Sequence, residues 1–199
     1  MPKPHSPSCD RNRDPILAVL RKHLADRREL LEIGSGTGQH AVYFAAALPH
    51  LIWQTSDVAE NLPGIREWLD DAGLANTPAP LLLDVSGKSG RWPVKQYDAV
   101  FSANTLHIMS WVEVVGLFQR LCSVLADDAV LAIYGPFNYN GQFTSESNAA
   151  FNDWLKARGE HMAIRNFEAV NALADAIGLR LLQDVAMPAN NRMLIWRRS

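Results

Sequence analysis

Three glycines crowd the segment LLEIGSGTGQH, at positions 34, 36 and 38 of residues 30–40. Lacking a Cβ, they let the chain turn through angles closed to other residues and let a ligand lie against the main chain. A pyrophosphate-binding G-x-G-x-x-G loop needs glycine or alanine at position 39, where this chain has Gln39. Glu32, just before the first glycine, also suits a cationic ligand better than a pyrophosphate. Two further acids, Asp57 and Asp84, close later apolar runs, where a carboxylate accepts hydrogen bonds from a ligand or caps a turn. His107 is the candidate general base, because an imidazole with an ordinary pKa of about 6.5 abstracts protons near neutrality. Packing on Trp111 at the start of a helix is its structural alternative. Tyr134 and Glu146 are the other candidates for that proton.

Short apolar runs alternating with helix-like stretches must position these groups, the pattern of an α/β fold whose mostly parallel sheet is covered on both faces. Asp14 and Pro15 suit the cap and first position of a helix bearing Ile16, Leu17, Val19, Leu20 and Leu24, after an N-terminal extension 1–14. Strands are expected at 29–33, 51–56, 80–83, 97–102 and 129–134, with helices at 39–48, 61–72, 111–125 and 167–177 between and after them. Runs 179–186 and 192–196 are joined by MPANN, too short for the crossover a parallel pair needs, so the last strand is expected antiparallel. The expected architecture is a single doubly wound, seven-stranded domain over 1–199. Its long connection, residues 136–163, is expected to fold as a lid with a helix over about 146–157.

In motif and strand order the chain resembles the class I S-adenosylmethionine-dependent methyltransferases, whose first motif reads E/D-x-G-x-G-x-G. That resemblance implies S-adenosylmethionine as cofactor, held by Glu32, Gly34, Ser35, Gly36, Gly38, Gln39 and His40. It implies that Asp57, with Val58 beside it, grips both ribose hydroxyls, and that Asp84 and Val85 contact the adenine. Residues 101–107, Asn104 among them, then lie near the transferred methyl group. Arg11, Asn12 and Arg13 are expected to fold over the cofactor, with an arginine, Arg13 foremost, pairing with its carboxylate. A closer likeness is to the uncharacterised, methyltransferase-like domain-of-unknown-function 938 family. Residues 11–17, 135–138, 144–148, 164–166 and 187–191 carry it. This branch implies the fold and the cofactor and leaves the methyl acceptor open.

Ligands of open α/β sheets bind beyond the carboxyl ends of the strands, which places Asn138, Phe143, Asn190 and Asn191 as candidate acceptor contacts. Asn104-Thr105-Leu106-His107 stands where an N-P-P-Y tetrad would signal methylation of adenine, cytosine or a glutamine amide. That absence argues against those three acceptors, and the leading expectation is a small-molecule acceptor. The alternative is a protein that holds the adenosyl ligand without turnover; a nicotinamide oxidoreductase is disfavoured by Gln39 and Glu32.

Composition narrows the classes further. With 19 basic and 21 acidic side chains the net charge is −2, so no basic footprint for nucleic acid stands out. Cys9 and Cys122 give neither a disulfide framework nor metal-ligand spacing, so no metal site and a reducing, cytoplasmic setting are expected. No apolar run reaches the roughly 20 residues of a membrane span, and the polar, proline-rich start lacks the core of a secretory signal.

Overall fold

The computed structural model describes residues 3–87 and 89–199. Helix α1 (Pro7–His23) leads into β1 (Glu29–Ile33), α2 (Gln39–Ala47), β2 (Ile52–Asp57), α3 (Leu62–Ala72) and β3 (Leu81–Leu82). Then come β4 (Tyr97–Ala103), α4 (Trp111–Val124), β5 (Leu125–Gly135) and β6 (Phe137–Asn138). The chain ends with α5 (Glu146–Arg158), β7 (Arg165–Asn166), α6 (Phe167–Ala176), β8 (Leu179–Met187) and β9 (Asn191–Arg198).

Seven strands form one sheet in the order β3-β2-β1-β4-β5-β9-β8. β9 runs antiparallel to both of its neighbours, as the short link before it requires, and the other pairings are parallel. β6 and β7 make a separate two-stranded ribbon.

Alternate residues of the central strands feed two cores. Leu30, Ala99, Phe101, Val130 and Ala132 face α1, α2 and α3, while Leu31, Val100, Leu131 and Ile133 face α4 and α6. A strand covered on both faces has no polar side, which is why these strands read as continuous apolar runs. Phe44, Trp53 and Phe101 pack with ring centroids 5.5–5.7 Å apart at the heart of the first core. Each such ring contributes about 1.5–3 kcal/mol by leaving water. None of the described helices is long and apolar enough to cross a membrane.

Three boundaries depart from expectation. β3 pairs over two residues only, although Leu83 adds an isolated bridge to Gly90. β5 starts at Leu125, at the end of α4, instead of at Ala129. α1 begins at Pro7 instead of after Asp14, and takes Pro15 into its interior. A proline there withholds an N–H from the Arg11 carbonyl and strains the turn. Tertiary anchors offset that cost: Ser6 N–H donates to Gln39 Oε1, Asn12 Oδ1 meets His40 Nε2, and Trp68 Nε1–H donates to the Pro4 carbonyl. Residues 7–14 of the expected extension are thus helical, in a helix that packs against α2 and β5.

Candidate active site

The glycine loop leaves β1 under tight control. Gly34 and Ser35 both donate their N–H to the Ser56 carbonyl, at 3.0 and 3.1 Å, which ties the loop to β2. Gly34 has φ +73°, and a Cβ there would meet Thr105 Cγ2 at 2.2 Å, so no side chain fits. Gly36 has φ +59° with nothing within 4 Å of where a Cβ would stand, which leaves space against bare main chain. Its N–H donates to Asp57 Oδ2 at 2.6 Å, while Asp57 Oδ1 accepts from Val58 N–H at 2.8 Å and Asn61 Nδ2 at 2.9 Å.

A cavity of about 510 Å³ opens over this loop, at the carboxyl ends of β1, β2 and β4. Gly34, Ser35, Gly36, His40, Asp57, Val58, Asp84, Val85 and Asn104 all line it, so the structure brings together nine residues that the sequence singled out. Asp84 accepts from Ser86 N–H at 2.8 Å and Ser89 Oγ at 3.2 Å, and hydrogen bonding to Ser86 above all holds its carboxyl below the usual range. Apolar walls come from Ile33, Leu83 and Met109. Ser8 and Cys9 of α1 reach the same cavity.

Four expected cofactor contacts fall elsewhere. Glu32 is 2 % exposed and outside the cavity lining. Its Oε2 accepts from Ser35 Oγ at 2.9 Å and Trp53 Nε1 at 3.0 Å, so it braces the loop against β2. Burial pushes its pKa up to about 7, so near neutrality it presents no full anion to a cation. Gln39 turns away from the cavity, its Oε1 taken by Ser6 N–H and Thr37 Oγ1. Gly38 packs under α3, where a Cβ would meet Ile65 Cα at 3.1 Å. Arg13 lies on the far face of α1, with its guanidinium over the Tyr43 ring at 4.6 Å and 3.3 Å from Asp10.

A second cavity, of about 850 Å³, lies beside the first and shares Ser8, Asn104 and Ile108 with it. Its volume is within the roughly 300–1,000 Å³ of small-molecule sites. His107 and Tyr134 line it, with Arg11 and Asn12 from α1 and Phe151 and Trp154 from α5. Phe151 meets the His107 ring edge-on at 5.4 Å and stacks on Trp154 at 5.6 Å. Burial, and then the charge of Arg165, lower the His107 pKa to about 4, leaving a neutral imidazole at physiological pH. Burial raises the pKa of the Tyr134 hydroxyl, and a hydrogen bond with Asn12 partly offsets that.

Of the four expected acceptor contacts, Asn191 lines the second cavity and three residues do not. Asn138 is buried in β6, and Phe143 stands 43 % exposed away from the cavity. Asn190 occupies the left-handed turn position at φ +56°, its carbonyl accepting from Asn148 Nδ2 and its own Nδ2 donating to Ser147 Oγ. Asparagine tolerates that conformation, so its role here is to shape the turn. The sequence reading missed Arg165. Its guanidinium donates to the carbonyls of Leu106, Met109 and His161 and so clamps the loop that carries His107. Only its place within the short segment 164–166 singled it out beforehand, and that gave no role.

The family described as "Protein of unknown function (DUF938)" matches residues 3–198. Among solved structures, a putative O-methyltransferase from Nostoc punctiforme superposes with a TM-score of 0.80 at 16% identity, over 94% of this chain and 55% of that one. An O-methyltransferase family protein from Burkholderia thailandensis gives 0.77 at 17% identity, over 94% and 56%. PigF, solved with SAH, gives 0.76 at 14% identity, over 93% and 61%. The shared element is the Rossmann-like methyltransferase fold, with its antiparallel last strand. The chain spans little more than half the length of these structures.

Proposed function

The chain belongs to the DUF938 family, and from that premise we propose that it is an S-adenosylmethionine-dependent methyltransferase acting on a small molecule. The observation that carries this reading is the pair of adjoining cavities, one over the glycine loop and one over His107, with Asn104 at their boundary. A protein that only held the adenosyl ligand needs no second chamber.

The residues present fit the cofactor. The open space before Gly36 accommodates a ligand against the main chain. Asp57 has three donors on a carboxylate with about four acceptor sites, so one site is free and a second opens if Asn61 Nδ2 withdraws. That provides for two ribose hydroxyls. Leu83, Asp84 and Val85 form the far wall, an apolar surface with a polar edge suited to adenine.

When bound, S-adenosylmethionine supplies an electrophilic methyl carbon, whose bond to sulfur breaks with the electron pair going to sulfur. This chain's own residues orient the acceptor and take its proton. A hydroxyl held in the second cavity lies beside a neutral His107 imidazole, which accepts the proton as the oxygen bonds to carbon. Phe151, Tyr134 and Pro188 exclude water from that wall, and in-line positioning supplies much of the remaining rate. Residues 136–163 act as the lid, and α5 roofs the acceptor chamber.

The test is transfer of label from methyl-labelled S-adenosylmethionine into a metabolite extract, with protein and nucleic acid fractions assayed in parallel. Label is expected in small organic molecules. Label confined to macromolecules contradicts the substrate class, and no transfer at all, with the cofactor bound, favours the holder without turnover.

A further inference from the structure

The acceptor chamber carries one guanidinium and no carboxylate. Arg11 lines it, and no aspartate or glutamate does. The acids nearest to Arg11 on its helix are engaged elsewhere: Asp10 meets His5 at 2.8 Å and Arg13 at 3.3 Å, while Asp14 accepts from the Tyr43 hydroxyl. Among the described residues no hydrogen bond, ion pair or ring contact engages the Arg11 guanidinium, and of the arginines only Arg11 lines this chamber.

Two features give the cation a direction. First, Ser8, Arg11 and Asn12 are spaced as one face of α1, and that face borders the chamber. Second, the rest of the lining is uncharged, polar at Ser8, Asn12, Asn104, Ser147, Asn148 and Asn191 and otherwise aromatic or aliphatic, with the Phe151–Trp154 stack as a flat wall. A planar fork of N–H donors beside such a wall matches a planar molecule that ends in a carboxylate.

Resting on the methyltransferase reading, we propose that the methyl acceptor is a planar, aromatic hydroxy acid whose carboxylate pairs with Arg11 while its hydroxyl faces His107. The carboxylate supplies the charge that the chamber lacks. The unpaired guanidinium then serves to set which end of the acceptor enters first.

The probes are para-coumarate and its neutral carboxamide, titrated by calorimetry with and without saturating S-adenosylhomocysteine. The full chain is expected to bind the acid about three- to fivefold more tightly than the amide, the increment of one charge-assisted pair at an exposed arginine. Arg11→Gln should abolish that preference while leaving amide affinity and S-adenosylhomocysteine affinity unchanged, and Arg11→Lys should restore part of it. Equal binding of acid and amide by the unaltered chain overturns the proposal. So does no binding of either probe, or an Arg11→Gln variant that weakens both equally. Failure of S-adenosylhomocysteine to bind, with the acid preference intact, would instead remove the cofactor reading and leave the anion site standing.

Discussion

Replacing Asp57 by alanine is expected to weaken S-adenosylhomocysteine binding by about a hundredfold, with the fold retained. Hydrogen bonds to a charged group contribute roughly 1.5–3 kcal/mol each, and two ribose hydroxyls on one carboxylate therefore amount to about 3 kcal/mol or more. The same side chain receives the Gly36 N–H, so its removal also loosens the glycine loop at the point where the ligand lies. Asp57→Asn keeps one acceptor oxygen and should fall between the two. Calorimetric titration reads the affinity, and far-ultraviolet circular dichroism checks the fold. Unchanged affinity in the alanine variant would place the ribose somewhere other than the carboxyl end of β2.

Replacing His107 by glutamine should cut turnover by about a hundredfold, the lower end of a positioned base's contribution, because a pKa lowered to about 4 weakens the imidazole as a proton acceptor. Cofactor affinity should change less than about twofold, because His107 lines the second cavity only. The pH dependence follows from the depressed pKa. A base works unprotonated, so activity is lost as pH falls through about 4 and is level in its His107 contribution from pH 6 to 8. The glutamine variant should lack that acid limb. Parallel loss of turnover and cofactor affinity would show that His107 packs the wall against Phe151 and takes no proton.

How far these residues could be read from sequence depended on how local their causes are. The glycine loop was legible because its signals are short-range: positive φ at Gly34 and Gly36, and apolar alternation that fixes where β1 and β2 end. Asp57, Asp84 and His107 then followed from counting along the strands. Arg13 misled for a reason of phase. With the helix begun at Pro15 its direction was undetermined, whereas a helix begun at Pro7 turns Ser8, Arg11 and Asn12 toward the chambers and Arg13 about 150° from the centre of that face, onto Tyr43. Glu32 misled through burial. Its carboxylate is adjacent to the loop in sequence, but Trp53, distant in sequence, takes it into the core. Asn138 and Phe143 sit in the connection between β5 and α6, whose path depends on the β6–β7 ribbon, and no periodicity encodes that pairing.

The central claim is that the glycine-loop chamber holds an adenosyl cofactor. Calorimetric titration of the intact protein with S-adenosylmethionine, S-adenosylhomocysteine and NADH tests it most directly. The expected result is one site per chain for both adenosyl ligands, with dissociation constants on the order of micromolar, about −8 kcal/mol, and no heat from NADH. NADH binding with neither adenosyl ligand bound would contradict it, and silence from all three would make the loop a structural turn.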